Sequence, residues 1–167
     1  MNFLIIDTSS PQSFVALKKG GKIDVELLSS KQSQTLLPAI EKLLDTQSLD
    51  FIAIGTGPGA FTGTRVGVMV AKALAFAKGI PLLPFCSLKI FLPDADGPFA
   101  LYGDAKSRGV YCLKGVKQGT HLSLQPLTLE PEGALSTTLN LPFLASFLIE
   151  KFRKEGGKNH DAVSPVY

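Results

Sequence analysis

The sequence predicts an α/β protein built as two lobes, on three observations. Apolar strand-like runs alternate with amphipathic helical stretches through residue 92. Pro93-Asp94-Ala95-Asp96-Gly97-Pro98 then breaks the pattern with turn-forming residues, which sets a boundary between residues 1–95 and 96–167. A hairpin pattern also recurs on either side of it. Leu4-Ile5-Ile6-Asp7 runs through a polar turn to Phe14-Val15-Ala16-Leu17-Lys18-Lys19-Gly20, and Leu101-Tyr102-Gly103-Asp104 runs through a turn to Val110-Tyr111-Cys112-Leu113-Lys114-Gly115. Each copy reads strand, Asp, polar turn, strand, basic residue, Gly, so each lobe opens with an aspartate at the mouth of a hairpin.

The elements follow in order. Asn2–Ile6 is a strand, Asp7-Thr8-Ser9-Ser10-Pro11 a polar turn, and Phe14–Lys18 a second strand. Lys22–Leu28 alternates Ile23, Val25 and Leu27 and completes a three-strand meander. A helix is expected from about Ser33 to Leu44, with Leu36, Leu37, Ile40, Leu43 and Leu44 on one face and Pro38 tolerated only in the first turn. Strand Phe51–Ile54, a glycine-rich loop, helix Val66–Lys78 ended by Gly79, and buried strand Pro81–Phe85 come next. Ser87–Leu92 reads as a short helix. Beyond the boundary, Phe99–Tyr102, Gly109–Lys114 and Leu122–Leu127 are strands. Leu141–Lys154 is an amphipathic helix whose basic last turn (Lys151, Arg153, Lys154) complements the helix dipole.

Composition narrows the function classes. A hydrophobic fraction of 45% over 167 residues supports a proper core, and a net charge of +3 is too small to mark a nucleic-acid binder. The start Met-Asn-Phe-Leu-Ile-Ile-Asp lacks the basic region of a signal peptide, and no apolar run reaches membrane-spanning length, so a cytoplasmic protein with no membrane partner is expected. Cys86 and Cys112 stand alone in apolar sequence and read as buried reduced thiols. The two histidines, His121 and His160, form no metal-binding pair. Without a Gly-x-Ser-x-Gly elbow, the parts of a hydrolase are missing as well.

Residues 55–67, Gly-Thr-Gly-Pro-Gly-Ala-Phe-Thr-Gly-Thr-Arg-Val-Gly, carry the most information. A glycine loop between a strand and a helix N-terminus is the form of a phosphate cradle. The fingerprints argue against that use. Gly55-x-Gly57-x-x-Ala60 matches a dinucleotide string, but it lies outside the first strand–helix unit, and no acid follows until Asp94. No Gly-Lys-Ser/Thr closes a Walker loop. Asp7 and Asp104 are the candidate carboxylates for metal or phosphate, yet each lacks an acidic neighbour and fits turn chemistry. The helix after the loop carries Lys72 as its only charge between Val66 and Ala77, so it must be covered on more than one side, by another helix or another protein. Its small residues Gly67, Ala71, Ala73, Ala75 and Ala77 would permit close helix–helix approach.

These residues resemble the TsaB (YeaZ) family of tRNA threonylcarbamoyladenosine biosynthesis. The resemblance rests on Ile5-Ile6-Asp7-Thr8-Ser9, on Ser33 with Leu36-Leu37-Pro38, and on Gly57-Pro58-Gly59-Ala60-Phe61-Thr62-Gly63-Thr64-Arg65-Val66-Gly67 with Ala73-Leu74-Ala75. Asp104-Ala105-Lys106 with Arg108 and Val110-Tyr111, and the closing Pro165-Val166-Tyr167, extend it. It is dense over residues 1–90 and thinner after Tyr111.

The resemblance implies an actin-like, hexokinase-like (ASKHA) fold of two ribonuclease-H-like lobes, the second shortened. It implies a non-catalytic subunit that dimerises with TsaD, which threonylcarbamoylates adenosine 37 of tRNA. A TsaE-like ATPase would join the larger complex, tRNA would be contacted only indirectly, and the isolated chain would form a homodimer. An older glycoprotease label finds no chemical support. The contact helices map to about Ser33–Leu44 and Val66–Lys78. Leu36, Ile40, Leu44, Val66, Met69, Val70, Ala73 and Phe76 are thereby the expected partner-binding residues, with no catalytic and no metal-binding residues. No cofactor is expected in the isolated chain. An ATP or ADP shared with TsaD at Asp7, Thr8, Ser9, Gly57 and Gly59 stays open, as does a rival reading as a small ATP-dependent phosphotransferase of the same fold using Asp7. Lys31-Gln32-Ser33 departs from the family's basic-His-Ser run.

Overall fold

The computed structural model describes residues 1–44 and 48–166 and contains two sheets. The first has five strands in the order β3-β2-β1-β4-β5. Strands β1 (Phe3–Asp7), β2 (Phe14–Lys19) and β3 (Lys22–Leu27) form the expected antiparallel meander. β4 (Phe51–Gly55) and β5 (Leu82–Phe85) add in parallel on the other side of β1. β1 and β4 are buried at every residue, as near-continuous apolar runs dictate for strands covered on both faces.

Alternation along these strands sorts side chains into two cores. Leu4, Ile6, Val15, Leu17, Ile52 and Ile54 point to one face, where helices α1 (Gln32–Leu44) and α2 (Phe61–Lys78) cover them. Phe3, Ile5, Phe14, Ala16, Phe51 and Ala53 point to the other, under helix α3 (Leu141–Glu155). Phe51 stacks between Phe3 and Phe152, with ring centroids 4.4 and 4.3 Å apart. Although α3 follows the Pro93–Pro98 boundary, it returns to the first sheet. The sequence division at residue 95 therefore separates the sheets but not the cores.

The second sheet pairs β6 (Gly97–Asp104), β7 (Val110–Gln118) and β8 (His121–Leu124), all antiparallel, with β9 (Thr128–Glu130) also on β7. One face packs Leu101, Tyr111 and Leu113 on Leu88 of the 3-10 turn Ser87–Phe91 and on Leu92 just after it. The buried Lys117 ammonium ties the boundary loop down, donating to the Asp94 carbonyl and to Asp96 Oδ1, each at 2.8 Å.

Four expectations shift. α1 begins at Gln32, which puts Pro38 in its second turn on the exposed side, where solvent can take up the carbonyl it leaves unpaired. α2 begins at Phe61 rather than Val66, so Gly63 belongs to its first turn and not to the loop. Its small residues Gly67, Ala71 and Ala75 are buried with the sheet core, while Ala73 and Ala77 are exposed. Cys112 is buried but Cys86 only half so, and both are free thiols. Tyr167, the end of the expected C-terminal motif, lies outside the described residues.

Candidate functional site

Both hairpin aspartates form the same local turn. At the end of β1 the Ser9 N–H donates to Asp7 Oδ1 at 2.9 Å, and the Ser9 hydroxyl donates to the same oxygen at 2.6 Å. At the end of β6 the Lys106 N–H donates to Asp104 Oδ1 at 2.7 Å. An Asp side chain accepting from the backbone two residues on is an Asx turn, so the repeat is real at the level of hydrogen bonding.

The surroundings of the two differ. Asp7 is fully buried, and its Oδ2 has no hydrogen-bond partner. Ser87 Oγ, beside it, already accepts from the Gly57 N–H at 2.9 Å. Burial pushes the Asp7 carboxyl above its usual range, against the opposing pull of Ser87 and Ser9. Asp104 is partly exposed and pairs through Oδ2 with Lys106 Nζ at 2.5 Å. The Lys106 bonds hold its carboxyl below the usual range.

The glycine loop closes over Asp7 rather than over an open cradle. A Cβ at Gly55 would fall inside 3.0 Å of Asp7 Oδ2 and of Ser87 Oγ. At Gly59 it would meet the Ser9 backbone, at Gly63 the Thr8 carbonyl, and at Gly67 the Thr8 hydroxyl. Thr8 completes the clasp by donating its hydroxyl to the Gly63 carbonyl at 2.7 Å. On the far side, Gly57 abuts the carbonyl of Val166, whose N–H donates to the Thr56 carbonyl at 2.6 Å. The first two turns of α2 thus lie directly on the 7–9 turn, with this chain's own atoms against the Cα positions of Gly55, Gly63 and Gly67, while Pro58, Gly59 and Ala60 also line an open cleft. Asp7, Thr8, Ser9, Gly57 and Gly59 lie together where the glycine loop packs on the 7–9 turn.

A cleft of about 150 Å³ does open nearby, between the 7–11 turn and the second sheet. Ser9, Ser10, Gln32, Ser87, Asp104 and Lys106 are among its walls. It is smaller than the roughly 300 Å³ at which ligand pockets begin, and Asp7 is not exposed in it. Among the described residues no group of three His, Cys, Asp or Glu side chains could hold a metal ion, and no helix is long and apolar enough to cross a membrane.

The other feature is the outer face of α2. Met69 is 66% exposed, Phe76 70% and Phe61 56%, with Ala73 between them and Leu37 of α1 also exposed. These are large apolar side chains grouped on one helix face, which single surface residues would not explain. The Arg65 guanidinium lies over the Phe61 ring, 5.2 Å from its centroid. Phe76 meets His160 edge-on at 5.1 Å. A shallow groove runs from Ser33 past Phe61 and Arg65 to Met69 and Val70.

The expected partner-facing residues divide on this geometry. Met69, Ala73 and Phe76 are exposed, and Val66 and Val70 are partly so. Leu36, Ile40 and Leu44 are not on the surface: they are 1%, 3% and 6% exposed and pack under α1 against the sheet. That is a correction, because the helical stripe of α1 serves the chain's own core and leaves Leu37 outside. Phe61 and Arg65 were overlooked as surface residues because the glycines around them read as loop; a helix start one turn earlier would have placed them. Ser87 carried no sequence signal, since only the folded chain brings it to Asp7.

Three comparisons bear on this arrangement. The family model of TsaD, tRNA N6-adenosine threonylcarbamoyltransferase, matches residues 8–165. The tRNA threonylcarbamoyladenosine biosynthesis protein TsaB of Haemophilus influenzae is 37% identical over 95 residues, covering 53% of this chain and 40% of that protein. TsaB of Bacillus subtilis is 33% identical over 122 residues, 66% of this chain and 53% of that protein. The chain thus spans about half the length of the curated relatives it matches. YeaZ from Pseudomonas aeruginosa has the same fold, with a TM-score of 0.85 over 99% of both chains at 24% identity. A mixed α/β protein with these two sheets and this match belongs to the TsaD family. Within that family its similarity is to the TsaB (YeaZ) proteins.

Proposed function

We propose that this chain is the non-catalytic subunit that pairs with a TsaD-type transferase in threonylcarbamoyladenosine synthesis at adenosine 37 of tRNA. The exposed apolar face of α2 carries the reading: Met69, Ala73 and Phe76 are exposed on it in a member of a family whose named relatives work in that pathway. Such a face gains by being covered, at about 25 cal/mol for each Å² of apolar surface removed from water. On this reading the two sheets are the two lobes of an actin-like fold with a shortened second lobe. The chain works in the cytoplasm, a TsaE-like ATPase joins the larger assembly, and tRNA is reached only through the partner. Without its partner the chain self-pairs through the same face. Mixing it with the TsaD protein of the same cell tests this. A 1:1 complex by size exclusion and raised modification activity are expected, and Met69→Glu should abolish both. No complex and no change in activity would sink the reading.

One observation favours a second reading. The orphaned Asp7 Oδ2 is the kind of atom a phosphotransferase would direct at a metal–nucleotide complex. It is sealed under Gly55 and Ser87, so such chemistry would need the loop to lift. Calorimetry with Mg-ATP decides: binding by the isolated chain, with turnover lost in Asp7→Asn, would favour the enzyme. Heat appearing only when the TsaD protein is present would point to a nucleotide shared between the two.

A further inference from the structure

We infer that the cavity between the β7–β8 hairpin and α3 binds a small monocarboxylate with a short apolar body, held by the Lys89 ammonium. The cavity measures about 230 Å³. That is below the roughly 300 Å³ that larger ligands need, so it suits a compact ion and not a nucleotide. Three elements build it: the 3-10 turn Ser87–Phe91 supplies Lys89, the hairpin supplies Thr120 and Leu122, and the last turns of α3 close it. Lys89 is anchored by its backbone. Its N–H donates to the Cys86 carbonyl at 3.0 Å, and its carbonyl accepts from Leu92 at 3.3 Å.

Charge pairing in the walls leaves one cation over. Lys151 Nζ pairs with Glu155 at 2.5 Å, and Lys154 Nζ lies 4.0 Å from Glu150, each pair one turn apart on α3. Glu150 also accepts from the Thr120 hydroxyl at 2.6 Å. Among the described residues, the half-buried Lys89 ammonium makes no hydrogen bond and no ion pair; it lies over the Phe147 ring, 4.7 Å from the centroid. Desolvation holds its pKa below the usual lysine range, with Lys151 adding to the fall and Cys86 and Glu155 opposing it. A carboxylate in the cavity would give this ammonium the charged acceptor it lacks. One free cation beside two carboxylates matches a single negative charge, whereas a phosphate dianion would face Glu150 and Glu155 with too little to offset them. Phe147, Leu122 and Leu124 offer the apolar contact. The occupant would touch the second sheet's hairpin and the helix behind the first sheet at once, tying the two together beside the Thr120–Glu150 bond.

The test is an amide NMR titration of the isolated chain with butyrate, in a buffer free of other oxyanions. Butyrate should shift the signals of Lys89, Thr120 and Leu122 with a Kd of about 1 mM, which a ligand of about six non-hydrogen atoms can reach. Acetate, shorter by two methylenes, should bind about tenfold more weakly. Butyramide, of the same shape without the charge, should leave the signals in place. Butyrate at ten times its Kd should raise the folding constant about tenfold. Lys89→Met should abolish binding and Lys89→Arg should keep it, while Lys154→Gln at the exposed rim should change it by less than about twofold. Butyrate that shifts none of these signals, or that binds Lys89→Met as well as the native chain, overturns the inference. Butyramide binding as well as butyrate overturns it too, and that comparison decides even if Lys89→Met fails to fold. Inorganic phosphate binding more tightly than butyrate overturns the assignment to a monocarboxylate.

Discussion

Asp7 and Asp104 occupy equivalent places in two copies of one hairpin, and the fold uses them in opposite ways. Both end a strand and both accept the N–H two residues on through Oδ1. Their second oxygens differ. Asp104 Oδ2 faces outward to the Lys106 ammonium, and Asp7 Oδ2 is shut beneath Gly55 and Ser87 with no partner. Local turn chemistry therefore fixes only half of a carboxylate's environment, and the elements packed above it fix the rest. Where α2 and its glycine loop lie down on the 7–9 turn, an acid of this motif is buried and its carboxyl is pushed above the usual range by desolvation. At the second hairpin no helix lies down on the turn, and the acid remains an ordinary surface ion pair.

Replacing the loop glycine that seals Asp7 should test this most severely. A methyl at Gly55 would collide with Asp7 Oδ2 and Ser87 Oγ, and neither can retreat from a fully buried site. Gly55→Ala is expected to cost about 3–4 kcal/mol, at the high end of overpacking because polar atoms are displaced as well. Gly119→Ala, where a Cβ meets open space in the turn between β7 and β8, should cost only about 1 kcal/mol from its left-handed backbone. Denaturant melts of the two variants check the contrast. Equal losses would mean that the seal over Asp7 is loose.

What the sequence made legible follows the same line between local and tertiary causes. The strands, the three long helices and the paired Asx turns are local, and they stand within a few residues of where alternation, helical spacing and turn chemistry place them. Leu36, Ile40 and Leu44 were read on the correct stripe of α1 but assigned to a partner, because periodicity identifies an apolar face without saying what covers it. Gly63 was read as loop because glycine is the usual mark of a turn, while Gly67 was placed in the helix as a small residue for close helix packing. Here they are helical residues trimmed to let α2 touch Thr8. β9 is only three residues long and is held by its pairing with β7, a cause absent from its own sequence.

Removing the charge at Asp7 sharpens the comparison through pH. Its folded-state pKa is shifted upward by burial from an ordinary value of 3.8. The folded state therefore keeps its proton where the unfolded chain has lost it. The stabilising contribution of this group is fully present below about pH 3.8 and is lost as pH rises through the folded-state value. Asp7→Asn keeps the acceptor for Ser9 and has no charge to bury. The variant should gain on the native protein as pH rises above about 3.8, and the gap should level off once pH passes the folded-state value. Urea melts at pH 4, 6 and 8 measure the gap. Parallel curves at all three would show that the buried carboxyl is accommodated as an anion.

Asp104→Asn should show the mirror image at much smaller scale. Lys106 lowers the Asp104 pKa below 3.8, so this group stabilises the fold above that pH and loses its effect as pH falls through the depressed value. The side chain is 32% exposed and its lysine 72%, so solvent screens most of the attraction. The loss at pH 7 should stay below about 0.5 kcal/mol, shrink in 1 M salt, and vanish at low pH, the reverse of the trend at Asp7. Since Asn can still accept the Lys106 N–H, the turn itself should survive, and strand amides of β6 and β7 should keep their hydrogen-exchange protection. A larger loss, or one that grows as pH falls, would mean that Asp104 does more than close its turn, and would reopen the case for the second hairpin as a working part of the cleft.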